Sequence, residues 1–487
     1  MTGGSAAPDP VAGSGLPDLV AGRTVLVVGA GVAGLAVIRL LAAAGAEVMV
    51  AADRPVTASV PAGVLLLGSP VKPPSGVDLV VTSPGVPPHD ALLAAAAAAG
   101  TEVIGEVELA WRMDRARPAG PRPWLVVTGT NGKTTTTGML ESMLRSAGVT
   151  VTACGNIGAS AAEAVADPTQ QVIAAELSSF QLHGAPSLRP RAGVVLNLAE
   201  DHLDWHGSMA AYGAAKARAL TGEVAVAVVD DPAAAAMLAA APAARRVGVT
   251  GASPVAGQLG VVDGALVDLA FGHGVLARVD RVRPPGPHNV TNALAAAALT
   301  LAGTSGAAGS TGAAGPAAVA GGLATYVPGG HRNAPVAEVA GVRYVDDSKA
   351  TNPHAAAASL TTYPSVVWVA GGQLKGASVD ELVRSIAHRL RGVVLLGVDA
   401  PVIEGALSRH APDVPRRSVA ASDDGPVDPA AVMNSVVRAA AALARPGDVV
   451  LLAPAAASKD MFDSYAARGA SFAAAVAALA GESGAAR

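Results

Sequence analysis

The chain has 487 residues, too many for one ordinary core, so two to four domains are expected. Alanine and glycine supply much of its 51% hydrophobic content and aromatics only 3%, so burial must come from many small Val, Leu and Ala contacts. A net charge of −4 with acids and bases intermixed argues against nucleic-acid and membrane-surface partners, and a single cysteine, Cys154, excludes an intramolecular disulfide and an all-cysteine zinc site.

Residues 1–17 are rich in Gly, Ala, Pro and Ser, lack the charged and apolar regions of a signal peptide, and read as a disordered tail. Alanine runs such as Ala91–Ala99 are too short and weakly apolar to span a bilayer, so no membrane insertion is expected. A soluble protein of the reducing cytoplasm follows.

The first block, 18–119, opens with strand Thr24–Val28, the turn Gly29-Ala30-Gly31-Val32-Ala33-Gly34, a helix to about Ala44 and strand Glu47–Val50. This β-α-β unit with Gly-x-Gly-x-x-Gly is a mononucleotide or dinucleotide pattern, hence a Rossmann-like domain. Its residues leave three readings open: NAD with Asp53 on the ribose, another diphosphate such as a UDP-sugar, or a turn without ligand. Ser83-Pro84-Gly85, after strand Leu79–Val81, sits where a second loop would touch the same ligand. The stretch Arg115–Pro123 looks like a linker.

The second block, 120–327, begins with the most informative segment, Leu125-Val-Val-Thr-Gly129-Thr130-Asn131-Gly132-Lys133-Thr134-Thr135. A strand running into a glycine turn that ends in Gly-Lys-Thr before a helix is a shortened P-loop. Its N–H groups cradle phosphate oxygens, Lys133 adds a point charge and Thr134 holds Mg²⁺. Glu176 closes strand Val172–Ala175 and reads either as a metal-holding acid or as a helix N-terminal glutamate. His202 lies in the polar run Asn197–Asp204 directly after a strand, and Lys216 in a helical segment. By themselves these two read as a loop histidine and a solvated helix lysine. The Gly/Ser/Thr-rich first half of 302–322 reads as a surface loop without chemistry.

The third block, 328–487, again alternates strands and helices, with strands at Val366–Ala370, Gly392–Leu396 and Asp448–Leu452. The fold class is α/β in three domains: a Rossmann-like N-terminal domain, a central P-loop ATPase-like domain with a mostly parallel sheet, and a C-terminal Rossmann-like domain.

Gly129–Thr135, Gly155-Asn156-Ile157-Gly158, Glu176–Leu182, Asp201-His202-Leu203-Asp204, Tyr212-x-x-Ala-Lys216, Gly286-Pro-His-Asn-x-x-Asn292-Ala and Gly330-His331-Arg332 together resemble the Mur ligase family, ATP-dependent amino-acid ligases of peptidoglycan synthesis. The resemblance covers about Val25 to Phe472. Asp346-Asp347-Ser348-Lys349-Ala350-Thr351-Asn352-Pro353, Gly371–Lys375 and Pro454–Phe462 are similar to the branch that adds D-glutamate to UDP-N-acetylmuramoyl-L-alanine. Departures are Ala456 where cysteine is frequent, Tyr465 where phenylalanine is usual, and Cys154 where glycine is common.

The resemblance implies an acyl-phosphate mechanism using ATP and two Mg²⁺ ions, with Lys133, His202 and Lys216 catalytic. Gly129–Thr135, Asn292, Arg332 and Asp347 would bind ATP. Thr134 and Glu176 would hold one Mg²⁺, and His202 and a carbamylated Lys216 the other. Gly31, Val32, Asp53, Arg54, Ser83, Pro84, Gly85, Asn156 and Ser178 would bind the UDP-linked substrate. Thr351, Lys375, Ser458 and Tyr465 would hold D-glutamate. The chemistry needs one chain, so a monomer is expected, with the third domain closing over the central site. A dehydrogenase would leave the P-loop idle, and a non-catalytic nucleotide-binding module would leave Lys133, Glu176, His202 and Lys216 without purpose.

Overall fold

The computed structural model describes residue 11 and residues 13–304, 314–419 and 428–485. The chain forms two compact units, Met1–Arg281 with Thr291–Tyr326, and Val282–Val290 with Val327–Arg487. Three sheets carry the architecture, two in the first unit and one in the second.

Strands β1 (Thr24–Val28), β2 (Glu47–Ala51), β3 (Leu65–Leu66), β4 (Leu79–Thr82) and β5 (Glu102–Gly105) form a parallel sheet in the order β3-β2-β1-β4-β5. The order reverses beside β1, so the turn after β1 and the loop after β4 flank the crevice where open α/β sheets take ligands.

The second sheet has β6 (Trp124–Thr128), β7 (Ala153–Gly155), β8 (Ile173–Glu176), β9 (Ala192–Val195), β10 (Val224–Val228) and β11 (Arg245–Val249), extended by β12 (Gln258–Val262), β13 (Ala265–Asp268) and β14 (Gly274–Arg278). Its order is β14-β13-β12-β11-β10-β9-β6-β8-β7, parallel through β12. β6 and β10 are buried at every position, as unbroken apolar runs covered on both faces must be. The helix Pro287–Thr304 is wholly buried from Ala293 to Leu299, which its run of alanines permits by letting neighbours approach on all sides. The antiparallel β12–β14 meander turns at Asp263-Gly264, both at positive φ (48° and 69°), as a two-residue hairpin requires.

In the second unit, β15 (Ala334–Val339), β16 (Val342–Asp346), β17 (Val366–Gly371), β18 (Leu390–Leu396), β19 (Arg416–Ser418) and β20 (Val449–Leu452) take the order β15-β16-β20-β17-β18-β19. All pairings are parallel except β15 with β16.

Four expectations are corrected. The tail does not extend through residue 17: Val11 and Leu16 are buried in the first core, and a helix spans Leu16–Val20. Arg115–Pro123 is no loose linker, because the Arg122 guanidinium bonds buried Asp114 at 2.6 Å and three carbonyls, those of Val165, Asp167 and Gln170. Residues 302–304 continue a helix instead of opening a loop, while 305–313 lie outside the described residues. Val282–Val290, placed by sequence in the central block, groups with the second unit. Among the described residues no helix is long and apolar enough to cross a membrane.

Candidate active site

Parallel sheets collect their functional loops at the carboxyl ends of the strands, and the second sheet sets four such ends side by side. In spatial order these are the ends of β9, β6, β8 and β7, which lead into Asn197–Asp204, the glycine loop 129–132, Glu176 and Asn156. Residues up to 87 positions apart in sequence meet there.

The loop after β6 passes through Gly129 (φ 155°) and Gly132 (φ 83°), and Gly132 caps the helix Lys133–Ser146. A side chain at Gly132 would strike Asn292 Oδ1 at 2.6 Å, so Asn292 sits against the loop. Asn197, quoted in the polar run but given no role of its own, brackets the loop: its Oδ1 accepts from Asn131 N at 2.9 Å and its Nδ2 donates to Asn131 O at 3.2 Å. The Thr130 hydroxyl lies 3.1 Å from the Tyr212 hydroxyl. The signal for Asn197 was its place first in the polar run after β9.

Lys133 Nζ donates to the Gly129 and Thr130 carbonyls at 3.0 and 2.9 Å. Lys216 Nζ donates to the same Gly129 oxygen at 2.8 Å and lies 4.6 Å above the Tyr212 ring. Lys216 is 1% exposed, so it is not the solvated helix lysine that its local sequence suggests. Burial, then the nearby Lys133 charge, holds its amine well below the ordinary lysine range.

Glu176 is buried. Its Oε1 accepts from Asn156 Nδ2 at 2.8 Å, while Oε2 is buried without a hydrogen bond. Such an orphaned carboxylate oxygen suits a cation bound beside the loop. His202 is half-exposed at positive φ (54°), against Phe180 with ring centroids 4.8 Å apart. Burial, against the nearby Asp201 charge, holds its pKa below the ordinary imidazole value. Ser178 is placed with this group, but its hydroxyl is engaged in a capping box with Gln181. Among the described residues no group of three or more His, Cys, Asp and Glu is arranged to hold a metal.

At the first sheet, Gly34 allows the helix after β1 to approach: a Cβ there would lie 2.0 Å from Gly29 O. The space over Gly31 is open and Val32 is 78% exposed. Ser83 Oγ donates to Gly29 O at 3.0 Å, which brings the β4 loop onto the glycine turn. Asp53 follows β2 and accepts from Ser69 Oγ; Arg54, Pro84 and Gly85 complete the same strand-end rim.

In the second unit, Thr351, Ser458 and Lys375 follow the neighbouring ends of β16, β20 and β17. Arg468, 1% exposed, ties these loops together by donating to Ser348 Oγ and O, Ala456 O and Gly371 O at 3.0 to 3.3 Å. Tyr465 packs with Lys349 Nζ 4.0 Å from its ring centre. Lys375 is exposed at positive φ (54°), an uncommon conformation that over-determined functional loops hold. Arg332 lies beside His331, whose Nδ1 is 2.6 Å from Asp346 Oδ2. Burial pushes the Asp347 carboxyl up to about 6. Arg468 had no local signal that marks this role, because all four of its acceptors lie on other segments of the chain.

Three family models match in order: the Mur ligase MurD-like N-terminal domain over residues 23–105, the Mur ligase middle domain over 127–300 and the Mur ligase glutamate ligase domain over 331–456. The chain is 55% identical to a UDP-N-acetylmuramoylalanine–D-glutamate ligase of Nocardia farcinica, over 82% of this chain and 84% of that one. It is 51% identical to the ligase of the same description from Mycolicibacterium smegmatis, over 96% and 99%. Among solved structures, the fold is shared with a UDP-N-acetylmuramate-alanine ligase of Thermotoga maritima (TM-score 0.53, 16% identity, 94% and 99% covered). It is likewise shared with an ADP complex of a MurF ligase from the same organism (0.52, 17%, 95% and 97%). With three domain models in sequence and about half of its residues shared with ligases of similar length, the chain is an enzyme of the Mur ligase family.

Proposed function

We propose that this ligase joins D-glutamate to UDP-N-acetylmuramoyl-L-alanine at the expense of ATP, releasing ADP and phosphate, as a monomer in the cytoplasm. The reading is carried by one observation: a glycine loop, an orphaned Glu176 oxygen and a buried Lys216 amine converge at one strand edge. The similarity to D-glutamate ligases supplies the substrates.

The alanyl carboxylate attacks the γ-phosphorus while the bond to ADP breaks, giving an acyl phosphate. The amine of D-glutamate then adds to the acyl carbon, loses a proton, and expels phosphate. Both steps need accumulated negative charge neutralised and three reactants aligned. Lys133 leaves its carbonyl partners to reach the β- and γ-phosphates, while the Thr130 and Asn131 N–H groups stay with Asn197 and the start of the helix Lys133–Ser146 faces the same oxygens. Asn292, Arg332 and Asp347 hold the nucleotide.

Thr134 and Glu176 would hold one Mg²⁺, and His202 and Lys216 a second; bound there, the ions offset phosphate charge. A neutral Lys216 amine is the form that adds to carbon dioxide, and the resulting carbamate, an anion, suits a cation site where an ammonium does not. Asn156 and Ser178, with the first sheet's Gly31, Val32, Asp53, Arg54, Ser83, Pro84 and Gly85, hold the UDP-linked substrate. Lys375 pairs with a carboxylate of D-glutamate, beside Thr351, Ser458 and Tyr465.

The test is phosphate release from ATP with Mg²⁺, UDP-N-acetylmuramoyl-L-alanine and a panel of amino acids. Release that requires D-glutamate and disappears in Lys133→Ala supports the proposal. Release with L-alanine, L-lysine or diaminopimelate instead overturns the substrate.

A further inference from the structure

The glycine loop after β6 is short, with only Thr130 and Asn131 between Gly129 and Gly132. Both main-chain groups of Asn131 go to one side chain: the Asn197 carboxamide accepts from its N–H at 2.9 Å and donates to its carbonyl at 3.2 Å. A residue in an antiparallel ladder holds its opposite number by the same exchange of two bonds. Asn197 is itself anchored. Its carbonyl accepts from Thr130 N at 3.1 Å, and the N–H of the next residue, Leu198, donates to Asp231 Oδ2 at 3.2 Å. Ala199 then exchanges two bonds with the Thr130 hydroxyl, at 3.0 and 3.1 Å.

The two peptides that flank Asn131 are trans, so each is a plane whose N–H and C=O point to opposite sides. Fixing one group of a plane fixes the other. With Asn131 N directed at Asn197, the Thr130 carbonyl faces the opposite way, where Lys133 Nζ donates to it at 2.9 Å. With Asn131 O directed at Asn197, the Gly132 N–H is turned away from Asn197, and Gly132 caps the helix Lys133–Ser146. One carboxamide thus sets two peptide planes: one holds the Lys133 ammonium, and the other leads into the helix N-terminus.

We propose that Asn197 is a positioning residue for phosphoryl transfer, a role that rests on the ATP reading above. Without touching the nucleotide, its carboxamide holds the Gly132 N–H and the Lys133 ammonium where the outer phosphates are received. A loop left to relax would have to be ordered again by each incoming triphosphate, and that ordering is subtracted from affinity. The loss falls on the β- and γ-phosphates, the groups that Lys133 and the helix start receive.

Calorimetric titration of the full chain with AMP, ADP and the β,γ-imido analogue of ATP, each with Mg²⁺, tests this. Asn197→Ala should bind AMP within about twofold of wild type, ADP about threefold more weakly and the ATP analogue at least about tenfold more weakly. An equal loss on all three nucleotides marks a merely structural residue and overturns the proposal, as do unchanged affinities. Asn197→Ser keeps a hydroxyl too short to span both groups of Asn131, so its loss should also grow with phosphate number. Thermal melts accompany both variants, and Asn197→Ser decides alone if Asn197→Ala melts early. Failure of wild type to bind any of the three nucleotides refutes the ATP reading itself, and this proposal with it.

Discussion

Lys216 shows how far a residue's setting outweighs its type. Its buried amine and the partly buried one of Lys133 meet at one carbonyl, where two ammonium groups repel and that of Lys216 has lost its water. Lys216→Arg keeps a permanent charge that cannot take up carbon dioxide, so kcat for phosphate release should fall at least about a hundredfold, with the fold retained by circular dichroism. Glu106 offers a second test. Burial first, with the Glu163 charge adding, pushes its carboxyl from the ordinary 4.5 to about 7, against the opposing bond from Ala162 N. Between those values the folded chain binds more protons than the unfolded one, so this group's contribution to stability is complete below 4.5 and is lost as pH rises through 7. The melting temperature of wild type should therefore drop more between pH 5 and 7.5 than that of Glu106→Gln; parallel curves would refute the assignment.

The helix Glu106–Arg115 joins the first two sheets by its acids. Glu106 accepts from Ala162 N, and Glu108 from Ser187 N and Oγ. Asp114 at its far end accepts from Arg122 N and Nε and from Trp124 Nε1, so the junction is held by a buried ion pair at the start of β6. Asp114→Ala would strand the Arg122 guanidinium in a low-dielectric site, an expected cost of about 3–5 kcal/mol. Urea unfolding followed by Trp124 fluorescence measures it, and a loss under 1 kcal/mol would mean that Arg122 finds water. Sequence composition pointed the other way here, because an Arg/Pro/Gly-rich stretch reads as exposed unless its partner is known. The Asp263-Gly264 hairpin is a different case: Asp-Gly is a local turn signal, but the expectation of a mostly parallel sheet passed over it, and its attachment to β11 required the fold.

At the scale of the molecule, the site residues fall into two groups on separate units, which should make their effects on substrate affinity separable. Lys375→Ala is expected to raise KM for D-glutamate about 10- to 100-fold while leaving the KM values of ATP and the UDP-linked substrate within about twofold. Gly34→Ala, which forces a Cβ to within 2.0 Å of Gly29 O, should instead raise KM for the UDP-linked substrate alone. Steady-state kinetics with each substrate varied in turn checks both, and a common loss across all three would show that the groups are not independent.

The linear chain determined whatever local patterns encode: strands as unbroken apolar runs, the two glycine turns, and the ordered motifs that mark the family. Strands β1, β17 and β18 lie where hydrophobic periodicity places them, to within two residues at each end. What only the tertiary structure decided is which side chains lose water and which partners meet. Lys216 looks solvated along its helix and Arg122 looks like linker; both are buried, because neighbouring parallel strands gather loops from distant segments. Asn197 at the P-loop and Arg468 beneath three loops are pairings across 50 or more residues, a distance over which periodicity carries no information.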